Sequence, residues 1–298
     1  MRRSRLGITM IELLVALAIF ATVFALSSKG IVTGLQGQKL LDDVASSQSR
    51  VRRVSEVMTQ QLRGTVFGSI SSLPYRPDAS QVSFAVLDGS GGFQVLPDPL
   101  SPGTVHMSNI QILAANIDDV NSLALSDKQA MVINDDGALV AFKVNSVQNS
   151  GSQYQLSVSN ATCNQSLIHS NNTLLFKGNL VGYRHDADEN ILYRRLGNAE
   201  EVPLAYNISD MEISYLYKDN GDSSVTARKQ PLFNGSQAVN QGSVGGSTVT
   251  LVALEIKLTT EDQTRQGTIK KSYSSQIDLV DSSRSDRIRR ITGVSICN

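Results

Sequence analysis

Between Ile8 and Leu26 the chain places a single charged residue, Glu12, in an otherwise apolar run. A helix of about 19 mostly apolar residues is long enough to cross a bilayer. Beyond it the apolar positions thin out but keep a helical period. Leu40, Val44, Val51, Val54, Met58 and Leu62 form a stripe among the polar Asp42, Asp43, Gln48, Arg52 and Arg53. The pattern predicts one helix over 8–63, with a transmembrane part over about 8–28 and an amphipathic part that packs on a globular head. Gly64 and Gly68 are its expected stop. Gly30, Gly34 and Gly37 fall in its middle, each costing ~1 kcal/mol against Ala. A soft segment that bends and a plain local weakening both fit them.

After Arg63 the period changes. The stretch 64–80 contains Ser71, Ser72, Pro74 and Pro77 and reads as a linker. The head, 81–298, then shows short β-type runs at 81–87, 92–96, 105–113, 139–147, 154–158, 174–176, 179–185, 191–196, 211–217 and 248–258. Polar turns separate them at 134–137, 186–190 and 219–222. The Gly-, Ser-, Gln- and Asn-rich stretch 234–247 reads as a mobile loop. The expected fold class is α+β, a long N-terminal helix packed on a large antiparallel sheet.

Composition narrows the chemistry. Lys+Arg and Asp+Glu balance at 27 each in 298 residues, so the chain as a whole does not call for a polyanion. Trp is absent and aromatics are 5%, which removes the stacking platform of a single-strand nucleic-acid binder. Arg284, Arg287, Arg289 and Arg290 cluster near the C-terminus, diluted by Asp281 and Asp286. A solvated face or a contact between subunits suits them better than phosphate.

His106, His169 and His185 are scattered and approach no nucleophile motif. No catalytic set, cofactor motif or Cys/His metal framework is expected. Asp186, Asp188 and Asn190 open like a calcium loop. However, Ile191 stands where that loop needs Gly, and Gly197 where it needs Glu, so a turn explains them better. Cys163 and Cys297, on an exported head, either pair or stay as two buried thiols. Pairing is the favoured reading, and the chain-entropy model assigns such a long loop roughly 4–5 kcal/mol.

The charge ahead of the apolar run orients it. Arg2, Arg3 and Arg5 precede it without an acidic residue, which keeps the N-terminus cytoplasmic and sends the head outward. The small residue Gly7 stands before the apolar run, not after it as in an ordinary secretory signal. The string Gly7-Ile8-Thr9-Met10-Ile11-Glu12-Leu13-Leu14 resembles the class III signal of type IV prepilins and pseudopilins. The resemblance implies a leader over 1–7, cleavage by prepilin peptidase after Gly7, and N-methylation of Ile8, where the family often has Phe. It also implies a structural subunit rather than an enzyme. The precursor sits in the inner membrane and is passed by an assembly platform into a filament of major and minor pilins or pseudopilins.

A carboxylate in lipid costs at least ~2.5 kcal/mol unless it is partnered. The family's partner for Glu12 is the amine of a neighbouring subunit. From Leu180 to Leu258 the run Leu192-Tyr193-Arg194, then Pro203-Leu204, then Ile213-Ser214-Tyr215, then an apolar strand, resembles PilW-type minor pilins and J-type minor pseudopilins. That likeness implies a low-abundance subunit near the filament tip, with Glu12 arguing for a place just beneath it. A membrane-tethered periplasmic binding or enzymatic domain is the competing reading; it requires neither the peptidase nor Glu12.

Glu12→Ala and Glu12→Lys are expected to leave a stable, membrane-inserted protein that no longer supports filament assembly. Counting filaments by electron microscopy beside an immunoblot of the membrane fraction checks this.

Overall fold

A computed structural model describes residues 10–63, 65–87, 92–107, 109–114, 120–121, 123, 129–133, 138–151, 153–158, 166–171, 173–264, 267–279 and 293–297. One helix, Met10–Arg63, is unbroken through Gly30, Gly34 and Gly37. Its 54 residues give it a length of roughly 80 Å at ~1.5 Å per residue. A Cβ at Gly37 would meet nothing within 4 Å, so that glycine stands in open space and no close packing requires it.

The described strands after the helix pair antiparallel, with one exception among them. In one sheet Ile208–Asp219 and Ser247–Thr264 pair along most of their length, and Gly267–Asp278 adds to the outer side of Ser247–Thr264. The larger sheet is organised by Leu174–Asp186. The first half of that strand pairs with Gln129–Ile133 and Phe93–Val95. Its second half pairs with Gln81–Leu87 and Ile191–Leu196. Val202–Tyr206 then pairs with Ile191–Leu196 and ends that side. The exception is Gly293–Cys297, which runs parallel to Ala138–Phe142 and meets Gln237–Val239 on its other side.

Among the described residues two large hydrophobic cores result, with a smaller cluster of Ala85, Met131, Leu139, Ala141 and Leu180. In the first, the helix residues Val51, Val54 and Met58 pack with Val82, Phe84 and Tyr183 of the larger sheet and with Ile213, Tyr215, Ile256 and Leu258 of the smaller. This part of the helical stripe is therefore core, with Val51 and Met58 each 1% exposed, while Leu40 and Val44 are half-buried and the Leu62 side chain lies outside the described residues. The second core, built from Val95, Ile110, Ile112, Val140, Phe142 and Leu156 among others, lies in the segment between Gln81–Leu87 and the end of Leu174–Asp186. Leu175 belongs to the second core, Val181 and Tyr183 to the first, so one strand runs through both.

The architecture is the α+β arrangement expected, with local differences. Leu174–Asp186 is one strand where two runs were read, because Lys177 and Gly178 between them keep their ladder partners. The run 105–113 is broken into Thr104–His106, which pairs with Ser166–Ile168, and Asn109–Leu113. Within the expected linker, Thr65–Ile70 is a strand paired with Gln81–Leu87; it contains Gly68, while Gly64 lies outside the described residues. The stretch read as a mobile loop forms Gln237–Val239 and Gln241–Val244, because neighbouring strands take up its backbone groups. The turn at 134–137 also lies outside the described residues, as does the basic cluster at 284–290.

Gly182 is required by close approach. A Cβ there would stand 2.6 Å from Pro74 Cγ and 2.6 Å from Tyr75 Cδ2. Gly182→Val is therefore expected to destabilise the head. Met58→Ala is expected to cost about 2–5 kcal/mol through lost contacts and the cavity left behind. Denaturant unfolding of the detergent-solubilised chain measures both.

Candidate functional site

The helix has two environments. Every described side chain from Met10 to Phe24 is exposed, on all sides of the helix, among them Leu13, Leu17, Phe20 and Phe24. Phe20 and Phe24 stack with ring centroids 6.3 Å apart. No part of the described head covers this segment. Among the described residues no helix is long and apolar enough to cross a membrane. Leu13–Phe24 is the continuous described part of the apolar run, and it is shorter than the ~20 residues a span needs. Leu35 and Leu41 continue the exposed apolar surface beyond it.

From Ser47 onward the helix is seated on the head. The partner of Ser247–Thr264 in the smaller sheet reaches only to Thr260. The tip of its hairpin with Gly267–Asp278 runs on past that point, and both of these strands contact the helix. Ser47 Oγ and Thr260 Oγ1 share a buried hydrogen bond of 2.7 Å. Arg50 Nη1 donates to Asp262 Oδ1 at 3.1 Å, and Asn207 Nδ2 donates to the same oxygen at 3.0 Å. Burial disfavours the Asp262 carboxylate, but hydrogen bonds from Arg50, Ser47 and Asn207 outweigh it and hold its pKa below the usual aspartate value. At the other end of the seat, Tyr183 OH donates to Gln61 Oε1, and burial pushes the Tyr183 hydroxyl pKa well up. Arg52 Nε–Glu56 Oε1, at 2.8 Å, is an exposed pair one turn apart and contributes little.

The acidic turn works as a turn. Asp186 Oδ1 accepts from the backbone N–H of Asp188 and Glu189 at 3.1 and 3.3 Å, while Oδ2 takes Arg184 Nη1 at 3.0 Å. Arg184, which also bonds Glu201 at 2.8 Å, is the main cause of the lowered pKa at both Asp186 and Glu201. A carboxylate already committed to Arg184 has little left for calcium. Among the described residues no three His, Cys, Asp or Glu side chains gather as a metal site. The histidines have structural partners: His185 Nε2 meets Ile208 O at 2.7 Å, and His169 Nε2 meets Val95 O at 2.9 Å. His106 Nε2 lies 3.7 Å from Asp98 Oδ2.

Gly7 and Ile8 lie outside the described residues, and Glu12 is on the helix with its side chain outside them. Cys163 is outside as well; Cys297 is placed by backbone alone, opposite Phe142. The seat residues Ser47, Arg50, Asn207, Thr260 and Asp262 were not singled out from sequence. The polar run Thr259-Thr260-Glu261-Asp262, directly after a long apolar strand, is the signal that could have pointed to them.

A family model described as the prokaryotic N-terminal methylation motif matches residues 2–28. The match spans the basic leader and the apolar run, where the prepilin-type signal was read from the sequence. No curated protein and no solved structure matches the chain significantly.

Asp262 makes the seat sensitive to acid. A carboxylate whose folded pKa is depressed contributes stability above the unfolded value of ~3.9, and that stability is lost as pH falls through the folded value. The contribution is expected to be flat near neutrality and to fade only below about pH 4. Asp262→Asn is expected to lower stability at neutral pH by about 1 kcal/mol and to remove this part of the acid sensitivity. Unfolding of both chains across pH 3–7 checks this.

Proposed function

We propose that the chain is a minor pilin of a type IV pilus, a tip-proximal structural subunit that helps prime filament assembly for motility, adhesion or DNA uptake. The observation that carries the reading is the methylation motif at 2–28, continuous with a helix that is bare at one end and seated in the head at the other. On this reading the segment over about 8–28 first lies in the inner membrane and later packs against the helices of other pilins. The peptidase cuts after Gly7 and methylates Ile8. Glu12 then neutralises the amine of a neighbouring subunit, which removes the cost of a lone carboxylate in an apolar surround. The presence of Glu12 supports a position just beneath the tip.

The seat at Ser47, Arg50 and Gln61 gives the head a fixed orientation on the helix, so a subunit placed by its helix also places its head. The same residues suit a J-type minor pseudopilin of a type II secretion system, and the order of features from Leu180 to Leu258 is common to both readings. Cys163 and Cys297 form a disulfide once the head reaches an oxidising compartment.

Intact mass with N-terminal fragmentation, on protein from cells with and without prepilin peptidase, tests the pathway. The expected product starts at N-methyl Ile8 and appears only with the peptidase. A chain starting at Met1 moves the protein to the tethered-domain reading, and one cut after the apolar run makes it a secreted protein without an anchor. Thiol alkylation without reduction is expected to label neither cysteine.

A further inference from the structure

Gly293–Cys297 sits in the larger sheet between two segments that belong to different cores. On one side it runs parallel to Ala138–Phe142, paired from Gly293–Ala138 to Cys297–Phe142. On the other it meets Gln237–Val239 at one pair, Val239 with Gly293. Among the described residues no other strand joins the hairpin of Leu232–Asn234 and Gln237–Val239 to the rest of that sheet.

Each neighbour is also held by bonds that do not involve this strand. Ala138–Phe142 has its own antiparallel ladder to Gln129–Ile133, and Val140 and Phe142 lie in the second core. Gln237–Val239 pairs with Leu232–Asn234, and Ala238 lies in the first core. The Ala238 N–H donates to Ser72 Oγ at 2.7 Å, and Tyr217 OH donates to Val239 O at 3.1 Å. The strand thus fills a slot whose two walls are anchored on separate cores. A short parallel ladder, with a single pair on its second side, is a weak hold. Opening a piece of this kind costs less than opening a core.

We propose that Gly293–Cys297 is a strap that opens and closes as a unit over a slot that stays built, and that a disulfide at Cys297 fastens it. Cys297 is at the far end of the strap, opposite Phe142. The fastening rests on the Cys163–Cys297 pairing proposed above. It is a thiol–disulfide exchange: a disulfide oxidant accepts two electrons and two protons from the two thiols, the new sulfur–sulfur bond forms, and the oxidant leaves as a dithiol. With the thiols reduced, the strap comes off and the two cores stay joined through Leu174–Asp186. The open slot then presents two unpaired sheet edges, which invite strands from other chains. Oxidation closes them and ties the second core to the first a second time.

The test is amide hydrogen exchange read by peptide mass, on the full chain in detergent, before and after dithiothreitol. In the reduced chain the amides of Gly293–Cys297 are expected to exchange about tenfold faster than those of Gln129–Ile133 and Ile208–Asp219. In the oxidised chain the strap alone is expected to slow. Equal rates for the strap and Gln129–Ile133 in the reduced chain overturn the proposal. A strap that is fast in both chains overturns the fastening. Intact mass after alkylation without reduction then separates the causes. Two alkylated thiols show that the pairing reading has failed, and two unlabelled ones that the bond exists but does not hold the strap. None of these outcomes bears on the filament reading.

Discussion

Everything in this fold depends on burying one stripe of a very long helix. A helix of this length has no tertiary reason to stay straight and attached unless part of its surface is removed from water. Val51, Val54 and Met58 supply that surface, and residues of both sheets pack against it. The polar contacts at Ser47, Arg50 and Gln61 then fix where along the helix the head sits. Apolar burial is non-directional, so it could hold the head at several registers; the hydrogen bonds to Thr260, Asp262 and Tyr183 select one. Division of labour of this kind suits a protein whose two ends work in different media.

The head is less uniform than its mostly antiparallel sheets suggest. Leu174–Asp186 belongs to two cores at once, with Leu175 in one and Tyr183 in the other. A strand shared in this way couples the stability of the two halves. Loosening one half weakens the ladder that supports the other, through Gln129–Ile133 at one end and Gln81–Leu87 at the other.

The helix and the fold class were legible in the sequence because their signals are strong and local. The apolar run after Gly7, with Glu12 its one charge, the stripe from Leu40 to Leu62 and the alternating runs are each plain local patterns. The strand from 191 to 196 was equally plain, with a turn before it and a turn after it. The contacts that seat the helix were not legible, because Ser47 meets Thr260, and Arg50 meets Asp262, from distant parts of the chain. Nothing in the local pattern of a Ser or an Arg on a polar helix face says which strand it will reach. Gln237–Val239 and Gln241–Val244 were missed for a related reason. Their composition is that of a loop, and only their partners Leu232–Asn234 and Ser247–Thr264 make them strands. Gly7, Ile8 and Glu12 were singled out by a motif and not by geometry, and the described residues hold neither Gly7 nor Ile8 nor the Glu12 side chain.

Gly293–Cys297 lies parallel to Ala138–Phe142, a strand made far earlier in synthesis. Pairing segments so distant in the chain carries a large loop-closure entropy and slows folding. The larger sheet cannot close until the last of these strands has been made. The apolar helix, by contrast, is available from the start of translation. The helix can thus form while the head is still an unfinished, extended chain, and helix formation and head folding become events separated in time.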